Sequence, residues 1–130
     1  MKKDNSQNII LDYKDVENKI KRISLEIIED NIEQKKLFFF GVSKNGKIIA
    51  KKIIDSISAH STIDSELIGV EIDKSSNNDL KFDKDSEVIN KSLIIVSDVS
   101  QSAKTLQLII SSLMLQNPQK IKTAVMVNRD

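Results

Sequence analysis

The chain has no cysteine, which excludes thiol nucleophiles, disulfide staples and cysteine-ligated metal, and the composition suits a reducing cytosol. Its single histidine, His60, leaves no material for a nucleophilic triad or a histidine metal cluster. Near the end of an expected helix it reads as a surface residue or C-terminal cap. Neither sign of charge dominates, with 20 Lys and Arg against 19 Asp and Glu, so general affinity for nucleic acid or acidic membranes is not expected. No apolar run approaches the roughly 18 residues of a bilayer span, and the start MKKDNSQNII lacks an apolar stretch behind its lysines. These absences predict a soluble, cytoplasmic protein with no membrane partner. At 130 residues and 39% hydrophobic, a single domain over 1–130 with a real core is expected.

What is present is alternation of two periods. Val16, Ile20, Ile23 and Ile27 recur at helical spacing, predicting a helix over Tyr13 to Asn31 with Asp12 as its N-cap. Leu37 to Val42 (LFFFGV) reads as a buried strand in which Phe38, Phe39 and Phe40 are core packing, followed by the loop Ser43 to Gly46. Ile49, Ile53 and Ile57 predict a second helix from near Gly46 to Ser58, and Ile63 to Ile72 a second strand. Asp73 to Ser86 is polar and nearly patternless, and reads as a mobile loop. Lys91 to Val96 is a strand, the loop Ser97 to Thr105 follows, and Leu106, Ile109, Ile110, Leu113 and Met114 form the apolar face of a third helix ended by Pro118. Ile121 to Val127 closes the series. Strand and helix in alternation predict an α/β fold with a mainly parallel sheet.

In such a sheet, ligands gather beyond the carboxyl ends of the strands, and two candidate loops lie there. Gly41 and Gly46 permit positive φ or close backbone approach, and Ser43, Lys44 and Asn45 offer donors to an anion. In LIIVSDVSQSAKT, an apolar run stops at Asp98 and opens into hydroxyl residues at a helix start. Unpaired N–H groups and the helix dipole favour a phosphate there, and Lys104 adds charge. The bland reading is that Ser100, Ser102 and Thr105 merely cap a helix. The lysine pairs Lys35-Lys36 and Lys51-Lys52 read as solvated faces.

VSDVSQSAKT, with GVSKNGKIIAKKI before it, the N-terminal helix and IKTAVMVNRD after it, resembles the type I phosphoribosyltransferases, above all the bifunctional pyrimidine-operon attenuator and uracil phosphoribosyltransferase group. The resemblance covers almost the whole chain and implies a three-layer, Rossmann-like phosphoribosyltransferase fold and a homodimer; no base-binding hood is evident after the last strand, so a small or missing hood is expected. It implies that Ser100, Gln101, Ser102, Ala103, Lys104 and Thr105 wrap the 5-phosphate of phosphoribosyl diphosphate. Asp98 would take a ribose hydroxyl as the catalytic-site carboxylate. Val42, Ser43, Lys44, Asn45 and Gly46 would face the diphosphate, and Mg²⁺ would be present only with that substrate, touching Asp98 weakly and through the ligand. Asp73 to Ser86 would be the loop that closes over the substrate.

Three positions depart from the family pattern. Ser97 stands where the first of two carboxylates belongs, a charged hydrogen-bonding group worth roughly 1.5–3 kcal/mol. Ala103 stands where a loop glycine belongs, which is costly wherever φ must be positive. Gln101 stands where purine-specific relatives carry an aspartate, and an amide is no general base, so purine chemistry is not expected. The resulting expectation is a divergent phosphoribosyltransferase-family protein that binds a 5-phosphoribosyl or nucleotide ligand with impaired catalysis. One alternative is a working Mg²⁺-dependent enzyme of nucleotide metabolism in which Asp83 or Asp85 compensates. Another is an RNA-binding regulator of pyrimidine genes using Lys14, Lys19, Lys21 and Arg22, against which the balanced charge argues.

Overall fold

The two most apolar runs of the chain become the two central strands of its sheet. The computed structural model describes residues 5–73, 75 and 79–126. Its elements are α1 (Asn5–Asp30), β1 (Lys36–Val42), α2 (Ser43–His60), β2 (Asp64–Asp73), β3 (Asp79–Phe82), β4 (Ser92–Asp98), α3 (Ala103–Met114) and β5 (Lys120–Met126). The sheet order is β3-β2-β1-β4-β5. All pairings are parallel except that of β2 with β3. The expected mainly parallel α/β architecture is therefore observed.

Strand alternation divides the core into two layers. Leu37, Phe39, Ile94 and Val96 pack with Ile20 and Ile27 of α1 and Ala50, Ile53 and Ile57 of α2. Phe38, Phe40, Leu93 and Ile95 face the other way and meet Ile109 and Leu113 of α3. Residues of β1 and β4 are apolar on both faces because both faces are covered, as parallel strands require. Phe38, Phe39 and Phe40 are thus core residues, as expected. Phe39 is wholly buried, where truncation of a phenylalanine to alanine costs about 3–5 kcal/mol.

Several boundaries differ from the sequence reading, each for a physical reason. The first helix begins by Asn5 rather than Tyr13, so Asp12 lies inside it and is not its N-cap. Ile9 and Tyr13 extend the spacing of Val16 and Ile20 backwards, and no Gly or Pro interrupts it. The second helix starts at Ser43, so the expected loop Ser43 to Gly46 is its first turn, and it runs on to His60. β2 and β4 each lie about one residue from the expected bounds at one or both ends, and β4 reaches Asp98. Asp73 to Ser86 is not simply a loop: Asp79–Phe82 forms β3, antiparallel to β2, with Val70 opposite Phe82 and Asp73 opposite Asp79. Only four residues long and polar at every second position, β3 is held by main-chain bonds to an edge and by a T-shaped contact of Phe82 with Phe40, neither of which leaves a strong sequence pattern. Positions 74 and 76–78 of that stretch, and Val127 of the expected last strand, lie outside the described residues.

At the opposite end from the strand carboxyl termini, Glu66 accepts hydrogen bonds from Lys36 Nζ (2.8 Å) and Ser86 Oγ (2.5 Å), fastening the segment after β3 to β1 and β2. The Lys36 bond first, then that of Ser86, lowers the Glu66 carboxyl from 4.5 to about 2. A lowered carboxyl stabilises the fold above its unfolded value and loses that contribution as pH falls from about 4.5 towards 2. Among the described residues, no helix is long and apolar enough to cross a membrane.

Candidate functional site

β1 and β4 are neighbours, yet the chain leaves them in opposite directions: β1 passes through α2 to β2, and β4 through α3 to β5. α2 and α3 cover opposite faces of the sheet. The reversal opens a crevice at the carboxyl ends of these two strands, the place where open α/β sheets bind ligands. Both loops singled out from the sequence flank it.

At the first junction no residues intervene between strand and helix. Val42, extended at φ −85 and ψ 118, precedes α2 without any side-chain cap. Ser43 takes φ 63, a left-handed value uncommon outside glycine. Gly46 is buried, and a Cβ there would lie 2.6 Å from the Val96 carbonyl oxygen. Its role is therefore close approach of α2 to β4; none of the described glycines has positive φ. Lys44 and Asn45 are exposed.

The second junction is built differently. Asp98 ends β4 and is 5% exposed. Its Oδ1 accepts from the Ser100 amide (3.0 Å) and from the Ser100 hydroxyl, and its Oδ2 from Asn45 Nδ2 (2.8 Å). The Ser100 hydroxyl foremost, with the Asn45 amide, holds the Asp98 carboxyl below its ordinary 3.8 despite burial, so it is ionised at neutral pH. Gln101 N–H donates to the Asp98 carbonyl (3.3 Å), and Gln101 Nε2 donates to Ser43 Oγ (2.9 Å). Ser102 is the N-cap of α3, accepting from the Thr105 amide at 3.1 Å, so for Ser102 the bland capping reading holds. Ala103 and Lys104 are not loop residues but the first turn of α3, where backbone N–H groups have no earlier partner in the helix. Ala103 shows no positive φ. The strain expected from its replacement of glycine is absent because an alanine suits a helical first turn.

Asp98, Asn45, Ser43 and Gln101 are brought together by direct bonds, while Ser102 and Thr105 pair with each other beside them. Ser97 is not part of this group. It is fully buried, its hydroxyl has no hydrogen-bond partner, and strand alternation sends it to the face opposite Asp98. Asp83 is engaged with Lys47 (3.5 Å) and is not joined to Asp98. Asp85 instead lines an open cleft of about 310 Å³ with Phe40, Ile68, Phe82 and Lys84. That cleft shares no lining residue with either junction; an ionised carboxylate and a helix start converge at the junctions instead. Among the described residues, no group of three or more His, Asp or Glu side chains could hold a metal ion, and both Asp98 oxygens already accept hydrogen bonds. A resident Mg²⁺ site does not fit this donor set. His60 is exposed in the last turn of α2 and donates from Nδ1 to the Ser56 carbonyl (2.8 Å). Of the first-helix cations, Lys19 pairs with Asp15 (3.2 Å), Lys21 and Arg22 are exposed, and the side chain of Lys14 lies outside the described residues.

One feature near the crevice escaped the sequence reading. Gly41 of β1 and Gly69 of β2 are register partners, and the stem of Lys47 lies across both. A Cβ on Gly41 would meet Lys47 Cα at 2.7 Å, and one on Gly69 would meet Lys47 Cδ at 2.9 Å and Asp83 Oδ2 at 2.5 Å. A lone glycine inside the Ile63 to Ile72 strand pattern was the available signal, since such a glycine marks close approach.

Known proteins share this plan. Residues 6–130 match the family pattern described as the phosphoribosyl transferase domain. A curated relative, the "Bifunctional protein PyrR" of Staphylococcus epidermidis, is 30% identical over 134 residues, covering 95% of this chain and 77% of its own. A hypoxanthine-guanine phosphoribosyltransferase of Bacillus anthracis superposes with a TM-score of 0.67 at 20% identity, over 86% of this chain and 65% of that one. The hypoxanthine phosphoribosyltransferase of Trypanosoma cruzi, solved with its product IMP, superposes with a TM-score of 0.72 at 15% identity, over 86% and 65%. The chain thus spans just under two thirds of these two enzymes, whose likeness concerns the fold. With the family pattern matched along nearly its whole length and an aspartate-ended strand running into a helix start at the sheet's reversal point, the chain belongs to the phosphoribosyltransferase family.

Proposed function

We propose that the crevice binds a sugar 5-phosphate, as phosphoribosyl diphosphate or a nucleotide, and that glycosyl transfer is impaired. The observation that carries the reading is Asp98: an ionised carboxylate at the end of β4, five residues before the first turn of α3 and bonded to Asn45 of α2. The first-turn amides of Ala103 and Lys104, with the Lys104 ammonium, are suited to a phosphoryl group. Asp98 is suited to a ribose hydroxyl, and Ser43 to Gly46 to a second anionic group. The IMP of the Trypanosoma cruzi enzyme is a ligand of this class. Mg²⁺, entering with a diphosphate ligand, would neutralise its charge; no protein cluster for it is proposed. The reading of impairment rests on Asp98 standing alone: residue 97, beside it, is a buried serine and offers the ribose no second carboxylate. Homodimerisation and a single domain over 1–130 remain part of the proposal.

Isothermal titration with phosphoribosyl diphosphate, ribose 5-phosphate and nucleoside monophosphates tests binding, and heat from none of them rejects it. Diphosphate release with a panel of nucleobases tests impairment: ready turnover by the unaltered chain would replace this reading with that of a working enzyme.

A further inference from the structure

The first-turn amides of α3 have no earlier helical partner, but the side chains around them are bonded to one another. Asp98 Oδ1 is taken by Ser100 and Oδ2 by Asn45; Ser102 Oγ is taken by Thr105; Ser43 Oγ is taken by Gln101. Two of these bonds run between the junctions, Asn45 to Asp98 at 2.8 Å and Gln101 to Ser43 at 2.9 Å, and both are partly buried. Asn45 sits on a helix first turn and Asp98 on a strand end, both rigid. Gln101, by contrast, is in the turn between β4 and α3, on a side chain with several rotatable bonds. Its partner Ser43 has φ 63, a conformation that persists only where surrounding contacts over-determine it.

We infer that the Gln101–Ser43 hydrogen bond is a strap that keeps the ligand-free crevice closed, and that its release is the opening step for a phosphorylated sugar. The inference rests on the phosphate-binding reading above. Ser43 only accepts in this bond and keeps its O–H for a ligand, but a ligand that draws the Gln101 turn towards its phosphate must first release the Gln101 amide from Ser43. Only part of the chain population is then competent, and apparent affinity falls by that fraction. Asn45 and Asp98 hold their positions meanwhile, so opening moves one turn rather than the sheet.

The test compares the unaltered chain with Gln101→Met, which keeps length and volume but has no donor, and Ser43→Ala, which removes the acceptor. Amide hydrogen exchange of the ligand-free proteins is followed in 43–46 and 100–105. Loss of one neutral hydrogen bond corresponds to about two- to tenfold, so both variants are expected to exchange faster by that factor in both segments. Affinity of Gln101→Met for ribose 5-phosphate is expected to rise by a similar factor. Acceleration confined to the mutated segment, or none, overturns the strap. A fall or no change in affinity overturns it as a gate and makes Gln101 a ligand contact or a bystander. If neither protein binds ribose 5-phosphate while both segments still accelerate, the coupling of the junctions stands and the phosphate reading fails.

Discussion

The two strand-to-helix junctions lie side by side and solve the same problem by opposite means. The first has no spacer and no cap: β1 runs straight into α2, Ser43 carries a left-handed φ, and Gly46 is pressed against the Val96 carbonyl oxygen. The second has a turn closed by the Asp98 carboxylate and a helix capped by Ser102. One junction is shaped by what packs on it, the other by its own side chains. Distant contacts can therefore force an uncapped, strained helix start wherever the sheet needs a helix close by.

Mutation separates the two modes. The largest effect is expected beside the second junction, from Ser97→Asp. A carboxylate at this buried position without a partner costs about 3 kcal/mol or more in urea unfolding, whereas Ser97→Ala, which removes only an orphaned hydroxyl, is expected to be neutral or slightly stabilising. A Ser97→Asp protein as stable as its parent would show that the position opens towards the crevice. At the first junction, Gly46→Ala drives a Cβ into backbone 2.6 Å away, and about 1–3 kcal/mol of stability is expected to be lost, as for overpacking. Unchanged stability would mean that α2 can back away from β4 freely. Ser102→Ala removes a cap and is expected to cost about 1 kcal/mol; thermal melts of both variants rank the two junctions directly.

The smallest effect is a pH dependence centred on Asp98. Hydrogen bonds from Ser100 and Asn45 lower the Asp98 carboxyl below 3.8, so its contribution is full above about that value and is lost as pH falls below it. Amide exchange at Ser100, whose own N–H is bonded to the carboxylate, is expected to quicken more in acid than that at Asn45, which is joined to it only through a side chain, and Asp98→Asn should abolish the response. Equal quickening at Ser100 and Asn45 would show that the carboxylate holds both junctions alike.

The second junction was legible because its determinants are local: an apolar run, an aspartate, then Ser102 three residues before Thr105. The first was misread as a loop because Ser43, Lys44 and Asn45 look like turn residues, and only the nearness of β4 makes them helical. Asp12 looked like a cap because short polar residues at a helix boundary usually are, but the apolar spacing continues through it. β3 was hidden because an edge strand held by main-chain bonds needs no strong side-chain pattern. Ser97 was noticed as a missing carboxylate, but its orientation away from Asp98 depends on where β4 stops, and the strand was read as ending before it.

Local chemistry in the sequence decided the alternation of strands and helices, the doubly covered core strands, the capped start of α3 and the acid at its threshold, because burial periodicity and capping act over a few residues. Tertiary structure alone decided that Gln101 meets Ser43 and Asn45 meets Asp98, that Lys47 crosses a trough of paired glycines, and that Ser97 is sealed in. Those contacts join residues far apart in the chain, and they exist only because reversal of the strand order at β1 and β4 brings two helix starts to one crevice.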